Sequence, residues 1–254
     1  MNDTVVDVGT IPALEHEEAM DLADAELGRL LDAVDALRGP DWARPTECAG
    51  WDVRAMLGHL LGMLELQADA DERVRQITIA TQQADANGGL RLDAMTALQV
   101  REHAPLSTEE LRTRLHTAAK EGLAARRSMP SAVRAAPYDP GIPGVSGWTI
   151  GYVCDVIHTR DPWLHRMDLS RAIARDPVLT GSHDGRIVAD VVAEWAATHG
   201  RSFTLDLTGP AGGHYQARRA GRAGAPLRLD AVDFCRTLSG RADGTGLLMT
   251  RVTF

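Results

Sequence analysis

The sequence predicts a helical bundle followed by a smaller α+β domain, and three observations carry that prediction. Four long stretches in the first two thirds of the chain repeat apolar residues at three- and four-residue steps. Beyond Asp176 a further helix gives way to segments that alternate apolar and polar residues. Capping, proline and glycine residues fall at the joints between these stretches. The division that follows is a bundle over residues 10–180 and an α+β domain over 181–254.

After a short N-terminal lead, HEEAMDLADAELGRLLDAVDALRG (16–39) spaces Met20, Ala23, Leu27, Leu30, Val34 and Leu37 along one face with acids between them. That is an amphipathic helix ending near Gly39-Pro40. The loop DWARPTECAGW follows, and Asp52 is placed to cap a second helix. This helix starts at Val53 and runs through MLGHLLGMLELQADADERVRQITIA to a polar break near QQADANGG. Ser107 and Glu110 form a capping box for the third helix, STEELRTRLHTAAKEGLAARRSM, which stops before Pro130 and the loop AAPYDPGIPGVSG. A fourth helical pattern covers roughly 148–175. In the second part, DGRIVADVVAEWAATHG reads as a helix ending at Gly200, and SFTLDLTG, GHYQARRA and APLRLD read as strands. AVDFCRTLSG is a short helix, and GLLMTRVTF a final strand.

Composition narrows the function classes. A chain of 254 residues with 44% hydrophobic content supplies a sizeable core. Net charge is −8, with no basic stripe to neutralise a phosphate backbone, so nucleic acid is not an expected partner. No apolar run is long enough to span a bilayer, and the acidic start does not resemble a signal peptide, so the expected setting is the cytoplasm, away from membranes. Cys48, Cys154 and Cys235 are widely spaced without a CxxC, and read as small buried hydrophobes rather than a disulfide framework or cysteine-rich zinc site.

The chemistry concentrates in the fourth helix, where His158, Asp161, His165 and Asp168 follow at intervals of three, four and three and so share one face. Val153, Val156, Ile157 and Leu164 around them mark a largely buried segment, where polar side chains need partners. A carboxylate and an imidazole one turn apart are a common way for one helix to supply two metal ligands. The best candidate for a third is His59 in MLGHLLG, although read alone it is better explained as a core histidine bonded to a backbone carbonyl. Pro162 lacks an amide hydrogen and opposes the carbonyl of residue 158, so the helix is kinked there or Asp161 caps a new one. Spacing alone equally supports a structural account, with Asp161 as an N-cap and the histidines as buried polar residues.

Two segments, PTECAGWDVRAMLGHLLG and HTRDPWLHRMDLSRA, resemble the mycothiol-dependent maleylpyruvate isomerase family, part of the wider DinB-like group of metal-binding four-helix bundles. The resemblance covers most of residues 10–176 and continues more weakly into the C-terminal part, where the family has a smaller α+β domain. It implies a divalent metal, usually zinc, held by His59, Asp161 and His165 with one coordination position open. In the isomerase the carboxylate is Glu and here it is Asp161, which leaves His158 as a substitute ligand or a supporting partner. The resemblance further implies mycothiol as cosubstrate, activated as thiolate for addition to an electrophilic small molecule, in an isomerase or an S-transferase. It also implies an arginine contributed by the second domain, matched by Arg241 in DFCRTLSGRADG with Arg236 as alternate, suited to a substrate carboxylate.

Two other functions fit the same residues. One is a thiol-independent metalloenzyme using metal-bound water, with Asp155, Asp168 or His158 as base. The other is a non-enzymatic metal-binding protein. Trp51, Met63, Trp148, Tyr152 and Trp163 suggest an apolar cavity in either case.

Overall fold

The computed structural model describes residues 4–218 and 224–254, which separate into two compact units, Glu15–Arg175 and Met1–Leu14 with Asp176–Phe254. The first unit is helical. Helix α1 (His16–Asp35) packs against α5 (Thr108–Arg127) and α8 (His158–Ala172), and α2 (Val53–Ala68) packs against α5 and α8 in turn. These four helices enclose one apolar core, in which Leu27, Leu30 and Val34 of α1 meet Met56, Leu57, Leu60 and Leu64 of α2, Leu111 and Leu115 of α5, and Leu169 of α8. The Ser107 capping box forms as its spacing predicts, with the Glu110 amide donating to Ser107 Oγ and the Ser107 amide to the Glu110 carboxylate.

The stretch that the sequence predicts as one long second helix is two helices. Asp69 adopts an extended backbone (φ −125°, ψ 125°) after Ala68, and its carboxylate accepts from the amides of Asp71 and Glu72. That N-cap ends α2 and starts α3 (Ala70–Asn87). A further helix, α4 (Arg91–His103), follows the polar break near QQADANGG, where the sequence predicts no element, and α3 and α4 pack together against α2. Short helices α6 (Ser131–Arg134) and α7 (Ile150–Tyr152) frame the loop before the fourth helical pattern, which runs without interruption from α7 into α8.

The second unit is an α+β domain. Among the described residues it has four strands in the order β1-β3-β2-β4: β1 (Val5–Asp7), β2 (Phe203–Thr208), β3 (Gly213–Ala217) and β4 (Ala225–Asp230). Strand β3 runs antiparallel to β2, and the outer pairs are parallel. Phe203, Leu205 and Leu207 point inward, as their alternation predicts, and Phe203 meets Trp195 of α9 (Asp184–His199). Phe234 of α10 (Ala231–Ser239) closes on the same tryptophan. Arg219 and Ala220, the last residues of the GHYQARRA segment, lie outside the described residues. GLLMTRVTF is not a strand: Gly246–Met249 form a 3-10 turn entered through a left-handed Gly246 (φ 59°), followed by irregular chain.

Candidate metal centre

His59 on α2 meets Asp161 and His165 on α8. His59 Nε2 lies 3.7 Å from Asp161 Oδ2, and His165 Nε2 lies 3.3 Å from Asp161 Oδ1. One donor atom from each residue falls within 4.8 Å of the other two. The imidazoles meet edge to face, with centroids 5.2 Å apart at 75°, and the Trp51 ring leans on His59 at 5.2 Å.

The other ring nitrogens define what this arrangement holds. His59 Nδ1 lies 2.7 Å from Gln99 Oε1, and His165 Nδ1 lies 2.9 Å from Asp168 Oδ2. Oxygen accepts in both bonds, so each Nδ1 carries its hydrogen and each neutral ring turns an Nε2 lone pair toward Asp161. The contacts to Asp161 are longer than good hydrogen bonds, and Asp161 Oδ2 is a buried atom with no hydrogen-bond partner. Electron-rich atoms facing one another in this way require a cation between them, either a metal or a proton. Without a metal the proton goes to His165: burial opposes its charge, and the Asp161 carboxylate overrides that and holds its pKa well above the usual imidazole value. Burial likewise opposes ionisation of Asp161, but the charge on His165 and contacts to both imidazoles keep its carboxyl well below the usual range. Two imidazole nitrogens and a carboxylate oxygen, with both imidazoles held from behind by oxygen acceptors, fit a divalent metal such as zinc.

Helix α8 reaches this position through an irregular backbone. Val153–Ile157 form a wide turn of π-helical type, and the His158 amide bonds back to the Val153 carbonyl. The helix then continues through Pro162, so neither a sharp break nor a new helix starts there. Pro162 has no N–H for the His158 carbonyl, and the fold supplies one from α5: Arg126 Nη1 donates to that oxygen at 3.1 Å. Arg126 Nη2 donates to the Cys154 carbonyl, which lies in the wide turn, and to Thr159 Oγ1, at 2.5 and 2.9 Å. A buried pair of Arg166 with Glu26 on α1, at 2.6 and 2.9 Å, fixes the next turn.

His158 does not join the three-donor group. Its Nδ1 is buried without a hydrogen-bond partner, and burial followed by the Arg126 charge pushes its pKa down to about 3, against the pull of Asp161. Asp155, another base that the sequence suggests, faces away to His16 and Arg134. Cys48 is partly exposed, with Sγ 3.5 Å from Asp168 Oδ2 and 3.8 Å from His165 Nδ1, while Cys154 and Cys235 are buried. Met63 and Trp163 are core residues, and Trp148 packs on Tyr152 with centroids at 4.8 Å. Arg241 follows the left-handed Gly240 cap of α10, its amide bonded to the Arg236 carbonyl, and Arg236 pairs with Asp233 at 2.6 Å. Sequence reasoning missed Gln99, Gln76 and Arg126. The available signal was the occurrence of long polar side chains at core-facing helical positions.

Fold and site together define a helical-bundle protein with a buried cation-seeking centre, joined to an α+β domain. The chain belongs to the mycothiol maleylpyruvate isomerase N-terminal domain family, whose model matches residues 23–170. It is similar in fold to the crystal structure of a mycothiol-dependent maleylpyruvate isomerase, with a TM-score of 0.60, 16% identity and 94% of each chain covered. It is also similar to that of a histidine-to-alanine mutant of such an isomerase, with a TM-score of 0.58, 14% identity and 94% and 93% of the two chains covered. No curated protein matches its sequence. No helix among the described residues is long and apolar enough to cross a membrane.

Proposed function

We propose that this protein is a metal-dependent enzyme that activates mycothiol for addition to an electrophilic small molecule, as an isomerase or S-transferase. One observation carries the reading: two imidazoles, each anchored through Nδ1, turn Nε2 toward a carboxylate whose Oδ2 has no hydrogen-bond partner among the described residues. A divalent metal at His59, Asp161 and His165 lowers the pKa of a thiol or water in its open position, giving a nucleophile at neutral pH. Asp168 and Gln99 keep the two imidazoles in the tautomer that offers Nε2. Trp51 gives His59 an apolar neighbour. His158, with its pKa near 3, is too weak a base to take a proton from a thiol, so in this reading it is a supporting group. Arg241 keeps the role that the resemblance gives it, as a guanidinium for a substrate carboxylate. The mycothiol assignment rests on family membership.

The test is metal analysis of the purified protein followed by calorimetry with mycothiol. One equivalent of zinc or a similar ion, lost in His59→Ala, is the expected result, together with thiol binding only to the metal-loaded form. Protein prepared with excess zinc that retains none overturns the metal centre. Metal-loaded protein that ignores mycothiol overturns the thiol chemistry and leaves a thiol-independent metalloenzyme or a binding protein.

A further inference from the structure

Behind His59 a chain of buried amides crosses from α2 to α4 and α3. His59 Nδ1 meets Gln99 Oε1 at 2.7 Å, and Gln99 Nε2 donates to Gln76 Oε1 at 2.9 Å. Gln76 Nε2 then donates to the Gly62 carbonyl at 3.1 Å and to Glu72 Oε1 at 2.8 Å. Gln76 and Gln99 are 1% and 2% exposed, so bulk water does not complete their hydrogen bonding.

The direction of this chain follows from its far end. Amide oxygen and nitrogen are ordinarily interchangeable, and only the network assigns them. Here the Gly62 carbonyl has no hydrogen to give, so Gln76 must turn its NH2 toward it. Glu72 imposes the same choice: the Arg75 guanidinium, against the effect of burial, keeps its carboxyl below the usual range and therefore ionised. Gln76 thus presents oxygen to Gln99, Gln99 presents its NH2 to Gln76, and oxygen is left facing His59. His59 has to donate Nδ1–H, which leaves the lone pair on Nε2, the nitrogen on the Asp161 side.

The helix packing is built for this contact. A Cβ at Gly62 would lie 2.6 Å from Gln99 Cγ and 2.8 Å from its Cβ, and one at Gly58 would lie 3.2 Å from His103 Cβ. Glycines on either side of His59 therefore let α4 approach α2 closely enough for Gln99 to reach the ring. The Gln99 carbonyl also accepts from His103 Nδ1 at 2.7 Å, and His103 Nε2 meets Glu65 Oε2 at 2.9 Å, so the α4 backbone is held at the same level.

We infer that Gln99 and Gln76 are positioning residues of the active centre, forming a one-way amide relay from the Gly62 carbonyl and Glu72 that sets the His59 tautomer and commits Nε2 to a metal. The inference rests on the metal reading of His59, Asp161 and His165, but its first test does not. Long-range proton–nitrogen correlation spectra of the metal-free protein, recorded on the alkaline side of neutrality, report which nitrogen of His59 carries the hydrogen. Nδ1–H is expected, and Nε2–H overturns the relay whether or not the protein binds metal. Three variants then probe the chain by chelator competition for zinc. Gln99→Met removes the acceptor and lowers affinity by roughly 10–100-fold. Gln76→Met does not touch His59, but frees Gln99 to turn, and gives a smaller loss with a mixed tautomer. Gln99→Glu keeps an acceptor oxygen toward His59 and, with its second oxygen protonated to meet Gln76 Oε1, restores Nδ1–H and recovers affinity relative to Gln99→Met. Equal affinities in the Met and Glu variants, or an unchanged tautomer in Gln99→Met, make Gln99 a packing residue and overturn the proposal. The expected tautomer in a protein that takes up no metal overturns the proposed function and the metal role of the relay, leaving the hydrogen-bond chain alone.

Discussion

Replacing Arg126 with methionine tests how the helix that carries Asp161 and His165 accommodates a proline in its second turn. The guanidinium, 1% exposed, donates to two backbone carbonyls, Cys154 at 2.5 Å and His158 at 3.1 Å, and to the Thr159 hydroxyl at 2.9 Å. The first carbonyl lies in the wide turn, and the second faces Pro162, which has no N–H. Leaving the His158 carbonyl without a donor and taking this one from the Cys154 carbonyl costs at most roughly 2–6 kcal/mol, at about 1–3 kcal/mol each. Part of that is recovered, because a guanidinium at this depth is itself unfavourable, as the lowering of its pKa by burial shows. A net loss of about 2–3 kcal/mol is expected.

For a unit of this size that loss lowers the melting temperature by roughly 5–10 °C. Circular dichroism during heating and urea denaturation, at pH 7, measures it. Arg126→Lys is expected to fall between the two, since one ammonium cannot reach all three acceptors in the guanidinium geometry. Zinc affinity should fall with Arg126→Met as well, because Asp161 follows directly on the released turn. A methionine variant within about 0.5 kcal/mol of the parent, the usual scatter for inconsequential substitutions, refutes the reasoning. The wide turn would then hold itself.

Two further predictions concern glycines and acid. Gly28 sits on an exposed face of α1 where an added Cβ would meet nothing within 4 Å, so Gly28→Ala is expected to stabilise by about 0.8–1 kcal/mol. Gly62→Ala, whose Cβ meets Gln99 at 2.6 Å, is expected to destabilise by roughly 1–3 kcal/mol and to weaken zinc binding, and chemical denaturation of the pair separates helix propensity from packing. His158 titrates near 3 in the fold against an ordinary 6.5, so its unfolded form binds the extra proton between those values, and stability is lost as pH falls from 6.5 toward 3. At 1.36 kcal/mol per pH unit the loss between pH 6.5 and 4.5 is at most about 2.7 kcal/mol, and His158→Gln should show a fall between pH 7 and 4.5 smaller by roughly 2 kcal/mol. Parallel acid dependence in parent and variant would show that His158 protonates freely in the fold.

How far the sequence revealed the site depended on how regular the backbone is. Asp161 and His165 lie in the continuous part of α8, where a spacing of four puts side chains on one face, and the structure does bring them together. His158 lies three residues before Asp161, a spacing that also shares a face, but it sits at the junction with the wide turn, where its own ψ is −1° and the hydrogen-bond ladder changes step. Periodicity assumes an unbroken ladder, and His158 stands where the ladder changes step. In the same way, Asp69 is hidden inside an apparently continuous helix, because its local capping bonds outweigh a periodicity that carries on across it. The Gln99 and Gln76 relay was illegible because it spans helices distant in sequence, and because the pattern predicts no element over α4. The strand Val5–Asp7 is equally nonlocal: it takes its place in the sheet only through pairing with His214–Gln216.

A shared principle connects Pro162, Arg126 and the Gln99 relay. Neither the carboxylate nor the imidazole at the centre is held by the helix that carries it alone. Asp161 precedes a proline, a position that disfavours helical backbone, and its turn is stabilised from α5 by a guanidinium that takes up the His158 carbonyl and bonds that of Cys154. His59 lies in a well-formed stretch of α2, but a regular helix fixes only the direction of its Cβ, not the tautomer of the ring. That second choice comes from α4 and α3. Two of the three side chains that face one another, Asp161 and His59, are thus set from neighbouring helices, whereas His165 is held by Asp168 of its own.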